Sequence, residues 1–458
     1  MPTVPAATLA RETAPRVSRV PMAALVGLLA FLAFNANGRE IGSTDTQPAK
    51  FLAIELASGH GLTLNHAIGR IPLLADRSGF VRDRHGNWRS AYPVASGVAA
   101  GAVAWLLSVA HLVDLHAPQT PEFIAKLTSS LLTALAVVWA FLVAARRLPP
   151  AWAAGLALAL ALGTNLWACV SQTLWQQETS MFALMGCLAL LDADRPTRRR
   201  LFLIGLLLGI AGSARPQVVP TVAVLAIFLL VRHGRRGALA LAPLAALAAL
   251  VVCANLAWFG HPLGAVPALE ALHPQIHGVS SSVGRAPWTA AAGLLISPSR
   301  GLLVFSPIVL VALAGLSRTR KEGARSELAW CLAAALVQLV AYCFYSVWWG
   351  GHTFGPRYAL DVLPLLVPAC AAGLPAVLAR RWSAAAATLA LLWSVAVAAA
   401  GAFVYPAELW NQEPADVDRA HERLWEWRDS QIPRAWRAGL NPRNFHLVPP
   451  EVWRAGNR

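Results

Sequence analysis

The residues best suited to chemistry lie in one short polar segment between two long apolar stretches. This segment reads Trp348-Trp349-Gly350-Gly351-His352-Thr353-Phe354-Gly355-Pro356-Arg357-Tyr358. Glycine allows a backbone to approach a ligand closely, and the Arg357 guanidinium can bind a phosphate or a carboxylate with two parallel hydrogen bonds. An arginine at the edge of a membrane needs an anionic partner. Asp361, one helical turn further on, is one candidate partner, and the phosphate of a substrate is the other.

The aromatic residues of this segment allow two interpretations. Tryptophan is enriched at membrane surfaces, and at least one of Trp348 and Trp349 fits such an aromatic belt. An indole can also stack on a sugar ring or lie against a prenyl chain. Trp349, His352 and Tyr358 are therefore candidate substrate-binding residues together with Arg357.

Asp45 is the candidate catalytic base. It lies in Gly42-Ser43-Thr44-Asp45-Thr46-Gln47-Pro48, shortly after the first apolar segment. A carboxylate at this position can accept a proton from an attacking hydroxyl or hold a divalent cation. From local sequence alone, capping of a helix that starts near Pro48 is the stronger interpretation, because Asp favours helix caps and Pro favours the first turn.

Two further carboxylates accompany Asp45. Residues 49–58 predict a short interfacial helix with Glu55 on or near its apolar stripe, although a solvent-facing position is more common for glutamate. Glu178 begins an apolar segment. An acid is favourable at the start of a helix without any function, and Glu178 is alternatively a third carboxylate of the site.

Three basic residues each allow a structural interpretation and a ligand-binding interpretation. Lys126 begins an apolar segment, where it acts either as a snorkelling anchor or as a contact to a lipid phosphate. Arg300, in Ser297-Pro298-Ser299-Arg300-Gly301, and Arg285 bind either a protein carboxylate or a phosphate. Lys126 and Arg300 are the candidate phosphate ligands, and a divalent cation stays an open alternative.

Composition places the chain in a membrane. Of its 458 residues, 57% are hydrophobic and 13% are charged, and the mean hydropathy is +0.52. The net charge of +15 comes from arginines in short blocks between apolar segments, so it indicates membrane topology rather than a nucleic-acid partner. The six cysteines lie in or beside apolar segments and show no metal-binding or redox spacing.

The arginine blocks predict the topology, because cytoplasmic loops carry the excess of Lys and Arg. These blocks lie at 146–147, 195–200, 232–236, 318–325 and 380–381. The sequence predicts an all-α polytopic membrane protein of about 11 spans, at 20–36, 124–145, 150–168, 178–193, 200–214, 217–232, 237–258, 301–317, 327–347, 359–379 and 383–404. Residues 1–19 are then cytoplasmic and the C-terminus is exterior, as in a bacterial inner-membrane protein.

One further apolar segment, 92–113, breaks this alternation. We interpret it as a protein-covered helix at the outer interface; an ordinary span is the alternative. The exterior segments are then 37–123, 169–177, 259–300, 348–358 and a tryptophan-rich tail at 405–458. That tail predicts amphipathic helices on the membrane or over the site, and disorder is the less favoured alternative. All polar clusters face one side, which predicts a site at the outer leaflet.

Together these motifs resemble the GT-C class of integral-membrane glycosyltransferases, which includes the protein O-mannosyltransferases and the aminoarabinose transferase. The resemblance covers most of 20–404 and resides in motifs that occur in this order: Asp45, the interfacial helices after it, Lys126, Thr173-Leu174-Trp175, Trp258-Phe259-Gly260-His261-Pro262, the Ser297–Gly301 motif and the Trp348–Tyr358 segment. The last two are similar to signatures of a bacterial branch of this class.

The resemblance implies transfer of a hexose or pentose from a polyprenyl-phosphate carrier to a glycan, lipid or protein acceptor, with inversion. Asp45 would accept the acceptor proton, and Arg357, with Lys126 or Arg300, would stabilise the departing phosphate. Three departures put metal use and sugar identity in doubt: Thr46 stands where a second acid is usual, Gln176 and Gln177 where a histidine is common, and Lys126 where an arginine is more familiar.

Two other classes compete with this interpretation. A transporter or flippase of a lipid-linked sugar would place ionisable residues near the middle of its spans and show two related halves. A polysaccharide polymerase or ligase would centre on a large arginine-rich exterior loop late in the chain. The predicted spans are nearly free of charge and no half-chain repeat is visible, which favours the transferase. Neither the sugar nor the acceptor follows from the sequence.

Overall fold

The computed structural model describes residues 19–77, 79–191, 196–272, 287–323, 326–404 and 407–440. This part of the chain is mostly helical and contains one short antiparallel hairpin, β1 (Phe80–Arg82) and β2 (Trp88–Ser90). The all-α fold expected of a membrane protein is therefore confirmed. The predictions for residues 1–18, for Arg285 and for the tail beyond residue 440 concern residues outside the described part.

The helices follow the predicted apolar segments closely. They are α1 (Arg19–Asn35), α2 (Gln47–Ala57), α3 (Asn65–Arg70), α4 (Ala95–Val109), α5 (Thr120–Ala144), α6 (Pro150–Leu162), α7 (Gln177–Leu190), α8 (Arg198–Ala214), α9 (Val219–His233), α10 (Leu241–Phe259), α11 (Val266–Leu272), α12 (Pro287–Ile296), α13 (Leu302–Phe305), α14 (Val311–Glu322), α15 (Glu327–Cys343), α16 (Leu363–Leu378), α17 (Arg381–Phe403) and α18 (Gln431–Ala438). Short 3-10 turns precede or join several of them, including Thr44–Thr46, Pro307–Leu310 and Tyr358–Val362.

Four helical stretches in the described residues are long and apolar enough to cross a membrane. They are Thr120–Ala144, Pro216–Phe259, Tyr358–Leu378 and Arg381–Phe403. Pro216–Phe259 joins two predicted spans into one nearly continuous stretch of 44 residues. Several other predicted spans are apolar helices of 10 to 17 residues, so the number of about 11 spans stays a prediction.

Segments predicted to be exterior meet at one end of the helices. The Asn37 side chain donates to Gln172 Oε1 at 2.7 Å and to the Ala402 carbonyl at 3.0 Å. The Arg84 backbone N–H donates to the Trp258 carbonyl at 2.9 Å. These contacts join the loop after α1 to the ends of three separate helical segments.

The segment 92–113 forms helix α4, which packs along α2. A Cβ at Gly97 would lie 2.9 Å from Leu52, and one at Gly101 would lie 3.0 Å from Leu56, so the two helices approach closely. The 15 residues of α4 extend about 22 Å at 1.5 Å per residue, less than the ~30 Å hydrocarbon core. Several predicted spans are equally short, so the length of α4 does not decide between the two interpretations, and its position at the outer interface stays a prediction.

Arginines of the predicted cytoplasmic blocks meet at the other end of the helices. Arg146 donates to Glu327 Oε1 at 3.1 Å, and Arg147 pairs with Glu322. A cavity of about 430 Å³ lies here, between the ends of α5, α14, α15 and α16. It is separated from the candidate catalytic residues by the length of the helices.

Helices α14 and α16 are in close backbone contact through two glycines. A Cβ at Gly315 would lie 2.3 Å from the Ala369 carbonyl oxygen, and one at Gly373 would lie 2.5 Å from the Val311 carbonyl oxygen. Backbone atoms cannot rotate away as a flexible side chain can. A methyl group at either position must therefore push the helices apart.

We expect Gly315→Ala to lower the unfolding midpoint of the protein in detergent, because overpacking of this kind costs about 1–3 kcal/mol. Gly155→Ala is the matched control: it lies in α6 with open space around it, and alanine is favoured over glycine in a helix by about 1 kcal/mol. Equal midpoints for Gly315→Ala and the wild type would contradict the close packing.

Candidate functional site

Asp45 contacts two residues that are distant in sequence. Its carboxylate accepts a hydrogen bond from the Tyr92 hydroxyl at 3.0 Å and lies 3.4 Å from Arg357 Nη1. The residue before α2 is Thr46, which makes no side-chain cap, and Asp45 does not cap this helix. The local interpretation of Asp45 as a capping residue was wrong, because long-range partners occupy its carboxylate.

Tyr92 is the donor in its contact with Asp45. Burial and the neighbouring Asp45 carboxylate raise the pKa of the Tyr92 phenol well above its ordinary value. The phenol therefore keeps its proton and holds one carboxylate oxygen in place. Since the Asp45 side chain is 40% exposed, the carboxylate is both fixed and accessible.

Arg357 is a buried cation with weak hydrogen bonds. Its side chain is only 6% exposed. Its acceptors lie 3.4 Å away at Asp45 Oδ2, 3.4 Å at the Gly350 carbonyl and 3.5 Å at the Gln177 amide oxygen. Charge-assisted bonds are normally about 2.7–2.9 Å long. The guanidinium thus retains capacity to bind an anion.

The ring of Trp175 covers one face of this guanidinium. The Arg357 Cζ atom lies 4.3 Å from the centre of the Trp175 ring, within cation–π distance. Tyr358 also contacts it, with its ring centre 5.7 Å away. Aromatic packing therefore compensates part of the cost of burying Arg357 without using its hydrogen-bond donors.

Asp361, the protein partner considered for Arg357, belongs to another arginine. Arg215 Nε donates to Asp361 Oδ2 at 2.6 Å, and both side chains are 1% exposed. Tyr342 donates to the same oxygen and stacks on Tyr358 with ring centres 5.1 Å apart. The Arg215–Asp361 pair thus fixes Tyr358 and leaves Arg357 without a buried carboxylate.

The connection before α7 supplies the wall behind Arg357. Gln176 adopts a left-handed backbone with φ of 75°, which is unusual for a residue other than glycine. Gln177 lies between two arginines: one amide orientation brings its oxygen 3.5 Å from Arg357 Nε, and the other lets it accept from Arg215 at 3.0 Å. The orientation that accepts from Arg215 also lets the amide nitrogen donate to the Trp175 carbonyl at 2.7 Å, so it satisfies both ends of the amide and leaves Arg357 without this acceptor.

In the described part of the chain, three buried polar atoms of this connection and of the first turn of α7 have no hydrogen-bond partner. They are Thr173 Oγ1, Trp175 Nε1 and Glu178 Oε2. Glu178 is fully buried, and its other oxygen accepts from Thr179 at 3.3 Å. Unpaired buried polar groups are costly, and all three side chains are enclosed by protein, so the predicted role of Glu178 in substrate binding stays a prediction.

Lys126 contacts the same connection at a different point. Its ammonium donates to Gln172 Oε1 at 2.5 Å, and the side chain is buried. Gln172 also accepts from Asn37. Lys126 thus has a neutral partner rather than a carboxylate at hydrogen-bond distance, and it is not in direct contact with Asp45 or Arg357.

Arg300 differs from Arg357 because its hydrogen bonds are short. Within the described residues it donates to four oxygens between 2.6 and 2.9 Å away, which belong to Trp349, Ser299, Gly351 and Asn411. It is 1% exposed. These bonds fix the turn at Gly350 and Gly351, which is a structural role for Arg300, and its predicted contact with a phosphate stays a prediction.

The described tail residues cover the outside of this loop. His352 Nε2 lies 3.0 Å from Asp416 Oδ1 and 3.4 Å from Asp418 Oδ2, and Trp349 Nε1 donates to Asp418 at 2.7 Å. Trp348 and Trp349 are both buried. The belt interpretation was therefore wrong for both tryptophans, and His352 and Trp349 contact the tail instead of Asp45.

Two groups of side chains could hold a metal ion among the described residues. One is His352, Asp416 and Asp418; the other is Glu55, His60 and His66. Asp45 belongs to neither, and its nearest charged neighbour is the Arg357 cation. Asp45 alone thus offers a poor cation site, and we derive no step through a metal there.

Comparison with protein-family models and with curated protein sequences found no match. Among solved structures, the chain is similar to the archaeal oligosaccharyltransferase AglB from Archaeoglobus fulgidus, in complex with an inhibitory peptide and a dolichol-phosphate. The identity is 11% and the TM-score is 0.46, over 90% of this chain and 60% of that one. At this level the likeness carries no conclusion about function.

Arg300 and Arg357 should contribute to stability by different amounts. We expect Arg300→Gln to lower the unfolding midpoint in detergent strongly, because each buried acceptor left unpaired costs about 1–3 kcal/mol. Arg357→Gln should have a much smaller effect, since its bonds are long and its charged partner Asp45 is partly hydrated. An equal loss of stability in both variants would contradict the distinction.

Proposed function

We propose that this protein is a glycosyltransferase that moves a sugar from a polyprenyl-phosphate donor to a cell-envelope acceptor at the outer face of a bacterial inner membrane. The observation that carries the proposal is the pair of Asp45 and Arg357, a partly exposed carboxylate 3.4 Å from a buried and weakly bonded guanidinium. Such a pair offers a base and a phosphate-binding group side by side.

Asp45 acts as the general base in this mechanism. The acceptor hydroxyl oxygen attacks the anomeric carbon while its proton passes to the Asp45 carboxylate. Tyr92 holds the other carboxylate oxygen, so the proton-accepting oxygen keeps its direction. General-base catalysis of this kind contributes a factor of about 100–10,000.

Arg357 stabilises the leaving group. As the bond between the anomeric carbon and the phosphate oxygen breaks, the prenyl phosphate gains one negative charge. A desolvated guanidinium that is already oriented stabilises this charge without reorganisation. Inversion at the anomeric carbon follows if the transfer is a single displacement, as the sequence resemblance implies.

Lys126 and Glu178 have supporting roles in the proposal. Lys126 lies at the start of α5 and holds the connection at residues 171–177 in place through its hydrogen bond to Gln172. Trp175 supports the site by covering one face of the Arg357 guanidinium, and Glu178, which lies in the same segment, is fully buried behind it. The acceptor is a glycan, a lipid or a protein.

Charge placement favours transfer at the surface over transport across it. Asp45 and Arg357 lie at helix ends, in connections that the arginine blocks assign to one side of the membrane. A transporter needs access to its site from both sides. The cavity near Arg146 lies at the opposite helix ends and does not open toward Asp45.

The decisive experiment is complementation of a deletion strain followed by mass spectrometry of prenyl-phosphate sugars. We expect the deletion strain to accumulate one such donor and wild-type protein to remove it. Asp45→Asn should lower transfer by a factor of about 100 or more, so the donor should persist despite normal protein levels. Asp76→Asn, an exposed acid in the same loop, is the matched control and should behave as wild type.

Two results would contradict the proposal. Full activity of Asp45→Asn would remove the base from the mechanism. Absence of any prenyl-linked sugar in the deletion strain would remove the proposed donor.

A further inference from the structure

We infer that Glu55, His60 and His66 form a zinc-binding site in the loop after α1, separate from Asp45. Glu55 lies in the last turn of α2, His60 lies in the turn that follows, and His66 lies in α3. Glu55 lies eight positions after Gln47 in α2, which corresponds to about 12 Å of helix. Because Asp45 lies just before Gln47, Glu55 is at the other end of α2 from Asp45. The inference therefore does not depend on the proposed transfer reaction.

The three ligand atoms already lie close together. Glu55 Oε2 is 3.1 Å from His60 Nδ1 and 3.9 Å from His66 Nδ1, and all three lie within 4.8 Å of one another. Around tetrahedral zinc, with bonds of about 2.0–2.2 Å, ligand atoms are about 3.3 Å apart. The Glu55–His60 distance is already close to this value, and small side-chain rotations would bring His66 Nδ1 nearer to the other two ligand atoms.

The backbone holds these residues in place. The His60 N–H donates to the Glu55 carbonyl at 2.8 Å, and the glycines on either side of His60 adopt positive φ values of 82° and 74°. At the start of α3, Asn65 accepts from the Trp88 N–H at 2.8 Å. The turn and the hairpin thus bring the two imidazoles together, with ring centres 3.8 Å apart.

The burial of Glu55 indicates what the site binds. Its side chain is only 6% exposed, whereas the His60 and His66 side chains are 38% and 58% exposed. In the described structure, the side-chain partners of this buried carboxylate are the two imidazoles. A buried charge needs a counter-charge, and a divalent cation on the solvent side would supply it.

The donor types select zinc among the common divalent cations. Imidazole nitrogen favours zinc over magnesium and calcium, which prefer oxygen ligands. Two histidines and one glutamate form a ligand set used by zinc, with a fourth position that is left to water or another ligand. The exposure of both imidazoles places that fourth position toward solvent.

The test is zinc binding by the purified full-length protein, carrying an affinity tag without histidines. After treatment with EDTA, the protein is titrated with zinc chloride in the presence of a competing chromophoric chelator. We expect one high-affinity zinc ion per chain. Because His66 is the most exposed ligand, His66→Ala should fold normally and weaken binding at least tenfold.

Control variants and a second metal make the result specific. His85→Ala changes an exposed histidine of the same loop that belongs to neither ligand group, and it should bind zinc as wild type does. Cobalt in place of zinc should give the visible absorption of a four-coordinate site in wild type and lose it in His66→Ala. Two results would overturn the inference. One is stoichiometric zinc binding that His66→Ala leaves unchanged. The other is wild-type binding no stronger than that of a double variant carrying His60→Ala and His66→Ala.

Discussion

The structure depends on how the charges of Arg215, Arg300 and Arg357, three of the buried arginines, are accommodated at one end of the helix bundle. Arg215 pairs with the buried carboxylate of Asp361 at 2.6 Å. Arg300 is satisfied by short bonds to backbone carbonyls and to Asn411. Arg357 has neither a close buried carboxylate nor short hydrogen bonds, since its acceptors lie at 3.4–3.5 Å. Because a buried charge is costly when it lacks close partners, Arg357 is the group whose environment an anionic ligand would complete.

The glycine-rich loop contacts both Arg300 and Arg357. Unlike Arg215, neither of them has a carboxylate at short hydrogen-bond distance among the described residues. Carbonyl groups of Trp349 and Gly351 point to Arg300, and the carbonyl of Gly350 points to Arg357. Gly350 and Gly351 reach this arrangement with φ values of 77° and 68°, which side chains rarely adopt. The loop thus uses its backbone to fix one arginine firmly while holding the other loosely.

The sequence predicted the helices well and the contacts of the site less well. Apolar segments and arginine blocks determine where helices begin and end, so even the interfacial helix at 49–58 was placed within a few residues. The pairing of Asp361 with Arg215 spans 146 residues, and no local pattern reveals it. Nothing in the local sequence marks Tyr92 as a partner of Asp45, 47 residues away. The burial of Trp348 and Trp349 depends on the tail that folds over them.

The most direct measurement of the central claim is binding of a short prenyl phosphate, such as farnesyl phosphate, to the purified protein by titration calorimetry in detergent. Arg357→Gln should lose affinity by about 10-fold to 100-fold, since a charge-assisted contact is removed. Asp45→Asn should bind at least as tightly as wild type, because the carboxylate no longer competes for the guanidinium. Equal affinity of Arg357→Gln and wild type would contradict the assignment of Arg357 as the phosphate-binding group.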